Sequence, residues 1–213
     1  AKMMAELALE TWFKTRPDLA SLVDEYLASR LLRPERPNPS PSVRRSAGLR
    51  IAQVLMQGRV DAGLTAAASG DGGGLTTLQV GLTRELSRHP GVSESYLLTR
   101  RIQGDAPVFA LKEQRVADGS RISRLDFGPR DYLTRDEMWE HRADLERELR
   151  GFFIDKGPFD VVHLRFADVG TFAAARVARE LGIRIAFTLA PDPHAVIDAA
   201  EKTGDLTRAN YAD

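Results

Sequence analysis

Residues able to do chemistry gather in three stretches of this 213-residue sequence. The first is "SGDGGGLTTLQVGLTREL", Ser69 to Leu86, in which Gly72, Gly73 and Gly74 stand directly before an amphipathic run. Leu75, Leu78, Leu82 and Leu86 predict a helix there, so the bare glycine amides lie at the positive end of its dipole, where an anion is held. Glycine also permits positive φ and close approach of a ligand to the main chain. The pattern is neither GxGxxG nor the GK[ST] loop of a nucleotide triphosphatase, and a flexible surface loop is the other reading of the glycines alone. The second stretch, "GPRDYLTRDEMW", offers Arg130 and Arg135. A guanidinium grips phosphate through two parallel, charge-assisted hydrogen bonds, although Asp136 and Glu137 after Arg135 equally suit a solvated surface charge. The third, "DVVHLRFADVG", carries His163, Arg165 and Asp168 at the end of a strand that leads into a helix opened by Gly170. Asp168 either accepts a ligand hydroxyl or caps that helix, and His163 reads as buried and hydrogen-bonded rather than catalytic.

These stretches need elements to position them. "RIAQVLM" (50 to 56), "SESYLLTRR" (93 to 101), "SRISRLDF" (120 to 127), "DVVHLRF" (160 to 166) and "IRIAFTLA" (183 to 190) read as strands. Helical patterns run from Leu75 to His89, Arg135 to Lys156 and Gly170 to Leu181. Such alternation predicts βαβ units: an α/β, Rossmann-like parallel sheet covered by helices on both faces, with ligands at the carboxyl ends of its strands. Ahead of it, Leu19, Leu22, Val23, Tyr26, Leu27 and Leu31 form one apolar stripe, and prolines at 34, 37, 39 and 41 mark an extended linker. The expected organisation is an N-terminal helical segment over 1–33, a Pro-rich linker over 34–45 and a Rossmann-like domain over 46–213.

Composition narrows the function classes. Thirty basic and thirty acidic residues cancel, so no net field recruits nucleic acid or an acidic membrane, and any anion must be caught locally. The absence of cysteine removes thiol catalysis, thiolate metal sites and disulfides. No apolar run approaches the roughly 20 residues of a membrane helix, and the start has no signal-peptide pattern, so a cytoplasmic protein is expected.

Read together, "LMQGRVDAG…GDGGGLTTLQVGLTRELSRHPGVSESYLLTRRI", "FGPRDYLTRDEMWEH" and "FDVVHLRFADVGTFAAARVARELGIRIAFTLA" resemble the amino-terminal domain of retaining glycosyltransferases of the sucrose-phosphate synthase and sucrose synthase type. The resemblance covers roughly residues 50 to 190 and keeps that family's order of motifs. It implies one half of a GT-B fold, the acceptor side, whose partner domain holds the nucleotide sugar. Under it, Gly73 and Gly74 match the family's glycine pair beside the departing diphosphate. Leu75 stands where a glutamine usually touches the acceptor sugar. Arg135, with Arg130 before it, falls where a basic residue lies near an acceptor phosphate, and Asp168 matches an aspartate that accepts a sugar hydroxyl. Arg165 replaces a frequent histidine and favours a negatively charged acceptor. Ala190 replaces the histidine that reaches the transferred sugar, a role His194 takes over if its loop, shared with Asp192, turns back to the cleft.

The function so implied is hexosyl transfer with retention, from a nucleotide sugar such as UDP-glucose to a sugar or sugar-phosphate acceptor. No cofactor and no metal are expected, because amides and basic side chains suffice for the diphosphate. The expected partners are the donor, the acceptor and a C-terminal domain, with a homo-oligomer through the N-terminal helix also open; nucleic acid is not among them. The alternative is a non-catalytic carbohydrate-binding or regulatory module of the same fold.

Overall fold

The computed structural model describes residues 48–66, 73–104, 106–189 and 193–204. The expected N-terminal helix and linker, the remainder of the glycine stretch, Ala190 and Asp192 lie outside the described residues. Strands β1 (Leu49–Val54), β2 (Val92–Arg100), β3 (Glu113–Ala117), β4 (Ser120–Leu125), β5 (Val161–Leu164) and β6 (Arg184–Phe187) form one sheet in the order β3-β4-β2-β1-β5-β6. Helices α1 (Gly73–Arg88), α2 (Arg142–Lys156), α3 (Val169–Leu181) and α4 (Pro193–Thr203) alternate with them. Five strands are parallel, and β3 runs antiparallel to β4 at one edge. The fold is α/β and Rossmann-like, as the alternation predicts. The antiparallel edge strand is a departure: "EQRVA" is short and polar, as suits an edge facing water.

From β1 the chain moves outward to β2 and then to β4, after which α2 returns it across the sheet to β5. The order therefore reverses between β1 and β5, and the loops after these strands diverge at their carboxyl ends, where open α/β sheets leave a crevice. Alternate residues divide the core. Ala52, Val54, Tyr96, Leu98, Val162 and Leu164 meet Leu145, Leu149 and Phe153 of α2 and Ala173, Ala174, Val177 and Ala178 of α3. On the other face, Leu55, Leu97 and Ile122 meet Val80 of α1.

Two helices differ from expectation. The leucines of α1 are only partly its buried face: Leu78 is 46% exposed and Leu75, Leu82 and Leu86 are half-buried, while Thr76, Gln79, Val80 and Thr83 are buried. The rotation follows from a polar residue on the sheet, since Gln53 of β1 donates Nε2–H to Thr83 Oγ1 at 2.7 Å and Thr83 bonds its own helix at Gln79 O. The helix expected from Arg135 begins as a turn and a 3₁₀ segment, Glu137–His141, before α2. Thr134 and Glu137 brace that turn: the Thr134 amide and hydroxyl both donate to Glu137 Oε2, at 2.7 and 2.8 Å, and hold its carboxyl below the usual range.

Candidate functional site

Three loops meet at the carboxyl edge of the sheet, after β1, β4 and β5. In the first, buried Asp61 folds its own turn by accepting from the amides of Gly63 and Thr65, both at 2.9 Å, with Leu64 at φ 57°. Arg124 of β4 underpins it, donating to Val60 O at 2.8 Å and to Gln114 Oε1 at 2.9 Å. Burial pushes the Arg124 guanidinium down to about 10 against the opposing pull of Asp61, so it stays charged at neutral pH.

The loop after β5 is locked onto the loop after β1. Asp168 is the N-cap of α3, its Oδ1 accepting from the Thr171 amide at 2.8 Å, while Oδ2 accepts from Gln57 Nε2 at 2.9 Å. Both oxygens are engaged and the residue is buried, so of the two readings of Asp168 the structure shows the cap. Gly170 is required beside it, since a Cβ there would stand 2.7 Å from Met56 Cγ. Arg165 is half-buried, and its Nε, out of contact with water, has no hydrogen-bond partner among the described residues. His163 is half-buried and shares a 2.9 Å hydrogen bond with Thr188 Oγ1 beyond β6. Burial first, and then the neighbouring Arg165 charge, pull its pKa below the ordinary histidine value.

The glycine helix entry stands on the same edge. Gly74 is exposed, and a Cβ built on it would meet nothing within 4 Å. Nothing in the packing demands glycine there. Leu75 turns away, packing against the cluster of Leu55, Val60 and Val80. Arg130 pairs with Asp126 at 3.1 Å, and Arg135 lies exposed beside Asp136 at 3.4 Å. His194 sits exposed in the first turn of α4 rather than in a loop. Proline at the first position of a helix fits it, because its missing N–H is one that the helix would leave unpaired.

Cavities flank the sheet. One, of about 530 Å³, opens at the carboxyl ends of β5 and β6 between Trp139, Phe172, Phe187, Ile185, Thr171 and Asp168. Another, of about 360 Å³, follows the β3–β4 hairpin past Glu113, Arg115 and Arg121, at the far end from the loops described above. Among the described residues no group of three His, Asp or Glu side chains could hold a metal ion, and no helix is long and apolar enough to cross a membrane.

Residues that spacing did not single out do much of the holding here: Gln57, Arg100, Arg124 and the pair Arg59 and Tyr132, whose ring centroid lies 4.3 Å from the guanidinium. For Arg100 the available signal was a charged residue closing an otherwise apolar run, in "SYLLTR".

No protein-family model matches the sequence, and no curated protein matches it. Among solved structures the chain is similar to a sucrose-phosphate synthase (tll1590) from Thermosynechococcus elongatus: 12% identity, 68% of this chain, 66% of that one, TM-score 0.48. Against sucrose-phosphate synthase (tll1590) from the same organism in another structure the values are 15%, 66%, 32% and 0.44, so this chain spans about a third of that length. A UDP-N-acetylglucosamine 2-epimerase is similar at 19% identity over 66% of this chain and 31% of its own, with TM-score 0.38. Likeness at these identities and scores carries no chemistry with it.

Proposed function

We propose that this chain supplies the acceptor-side half of a GT-B type glycosyltransferase, moving a hexosyl unit with retention from a nucleotide sugar to a sugar or sugar-phosphate. The observation that carries the reading is the helix entry at Gly73 and Gly74, with open space beside Gly74, on the carboxyl edge of a sheet whose strand order reverses between β1 and β5. Retaining transfer leaves negative charge on a departing diphosphate, and amides at a helix N-terminus stabilise such charge without a metal. In this reading Arg165 meets an anionic acceptor, its Nε being still without a partner among the described residues, while Asp168 acts by fixing the loop that carries it. Arg130 and Arg135 lend further positive charge, Leu75 contributes only its amide, and His194 reaches the transferred sugar. The donor's remaining contacts belong to a partner domain.

The test is nucleotide-sugar hydrolysis and transfer by the longest natural chain containing this domain, screened over neutral and phosphorylated acceptors. Turnover with anomeric retention is expected, and no turnover with any donor would sink the reading. Calorimetry on the 213-residue chain alone should show weak UDP-glucose binding; tight binding would mean that the donor site lies in this half.

A further inference from the structure

Arg100 closes β2 and is only 2% exposed, so it cannot itself meet a ligand. Its guanidinium is spent on one loop. Nε donates to Phe127 O at 3.4 Å, Nη1 to Asp131 O at 2.6 Å and Nη2 to Pro129 O, and the cation lies 5.6 Å from the Phe127 ring centroid. These acceptors are neutral carbonyls. A buried charge held by such groups is tolerated only while its donors are satisfied, so the path of the loop and the place of the guanidinium depend on each other. The same loop carries Arg130, tied to Asp126, which Arg101 also holds at 3.1 Å. It ends at Tyr132, under the guanidinium of Arg59 from the loop after β1.

We propose that Arg100 is a positioning residue that sets the loop from Phe127 to Tyr132 and, through Tyr132 and Arg59, steadies the loop after β1, so that one wall of the crevice is assembled before any ligand arrives. That this wall receives a ligand rests on the reading given under Proposed function; its assembly does not. Lysine cannot replace Arg100, because one ammonium lacks the planar fork that reaches three carbonyls.

Amide hydrogen exchange on the 213-residue chain tests this with Arg100→Lys and Arg100→Ala. In Arg100→Lys the amide of Gln103, which donates to Arg130 O of this loop at 2.7 Å, should exchange at least about tenfold faster, that of Ala62 in the loop after β1, bonded to Gln114 Oε1, less so, and those of Leu145 to Phe153 in α2 at the wild-type rate. In Arg100→Ala, millimolar guanidinium should slow Gln103 back toward wild type, a rescue that general loss of packing would not show. Unchanged exchange at Gln103 in a folded variant overturns the proposal. So does acceleration shared equally by Gln103 and α2, which would make Arg100 a support of the whole fold. Should neither variant fold, Tyr132→Leu must speed exchange at Ala62 selectively, or the link to the first loop is wrong. No ligand enters the measurement, so its failure and that of the sugar-transfer reading are separate results.

Discussion

The two faces of the sheet are built differently. Under α2 and α3 the contact is leucine, alanine, valine and a cluster in which Tyr96, Phe152, Phe153 and Phe159 meet edge to face or stacked at 5.3 to 6.0 Å. Under α1 the buried side chains are Thr76, Gln79 and Thr83 with one valine, over a sheet face that includes Gln53, Ser95 and Thr99. Several of those polar atoms, including both ends of the Gln79 amide, Gln53 Oε1, Ser95 Oγ and Thr99 Oγ1, have no partner among the described residues. Apolar burial holds a helix without regard to direction, whereas a polar seam holds only where its hydrogen bonds are complete. The helix bearing the glycine entry is thus the less firmly seated one, and α2 and α3 serve as the fixed frame.

Predictions follow from that contrast in descending size. Leu149→Ala, on the apolar side, should cost about 2–5 kcal/mol in urea unfolding, because it leaves a cavity among close-packed neighbours. A loss comparable with that of an exposed site would remove the contrast. Asp168→Ala, at the joint where the loops of β1 and β5 meet, should cost about 1–2 kcal/mol from the lost cap, and more because Gln57 then loses its partner. Gln79→Leu, on the polar side, should raise stability by about 1 kcal/mol, since it removes a buried amide unpartnered at both ends. A lower urea midpoint would show that the seam is satisfied in solution and that α1 is seated as well as its counterparts.

The smallest effect is one of pH. His163 has a folded-state pKa below its unfolded value, so the unfolded chain binds the proton more readily. Its contribution is therefore present above the unfolded value of 6.5 and is lost as pH falls through the folded value. Urea midpoints between pH 7.5 and 5, compared with those of His163→Gln, should show a slope that the substitution flattens; equal slopes would remove His163 as its source.

Much of this architecture was legible in advance, in ways that trace to local physics. Strands β1, β2, β4, β5 and β6 were readable because runs such as "RIAQVL" and "DVVHL" are apolar between turn-forming residues. Strand β3 was not, because its five residues owe their conformation to pairing with β4 rather than to their own pattern. Asp168 could be read as a cap because its partner is three residues away; its second partner, Gln57, is 111 positions away and left no trace in the spacing. The leucines of α1 marked the helix but not the face it buries, for a related reason. A hydrophobic stripe is oriented only by what it meets, and here the sheet presents Gln53, which turns the threonines and Gln79 inward.

By itself the sequence determined the α/β class, the alternation of elements and the glycine-led helix entry, since each depends on interactions among residues close in the chain. Only the tertiary structure decided which strands adjoin, where the order reverses, which face of α1 is buried, and that Arg100, Arg124 and Gln57 hold the loops of the crevice. Those outcomes depend on hydrogen bonds and contacts between segments tens of residues apart, whose geometry no local pattern encodes.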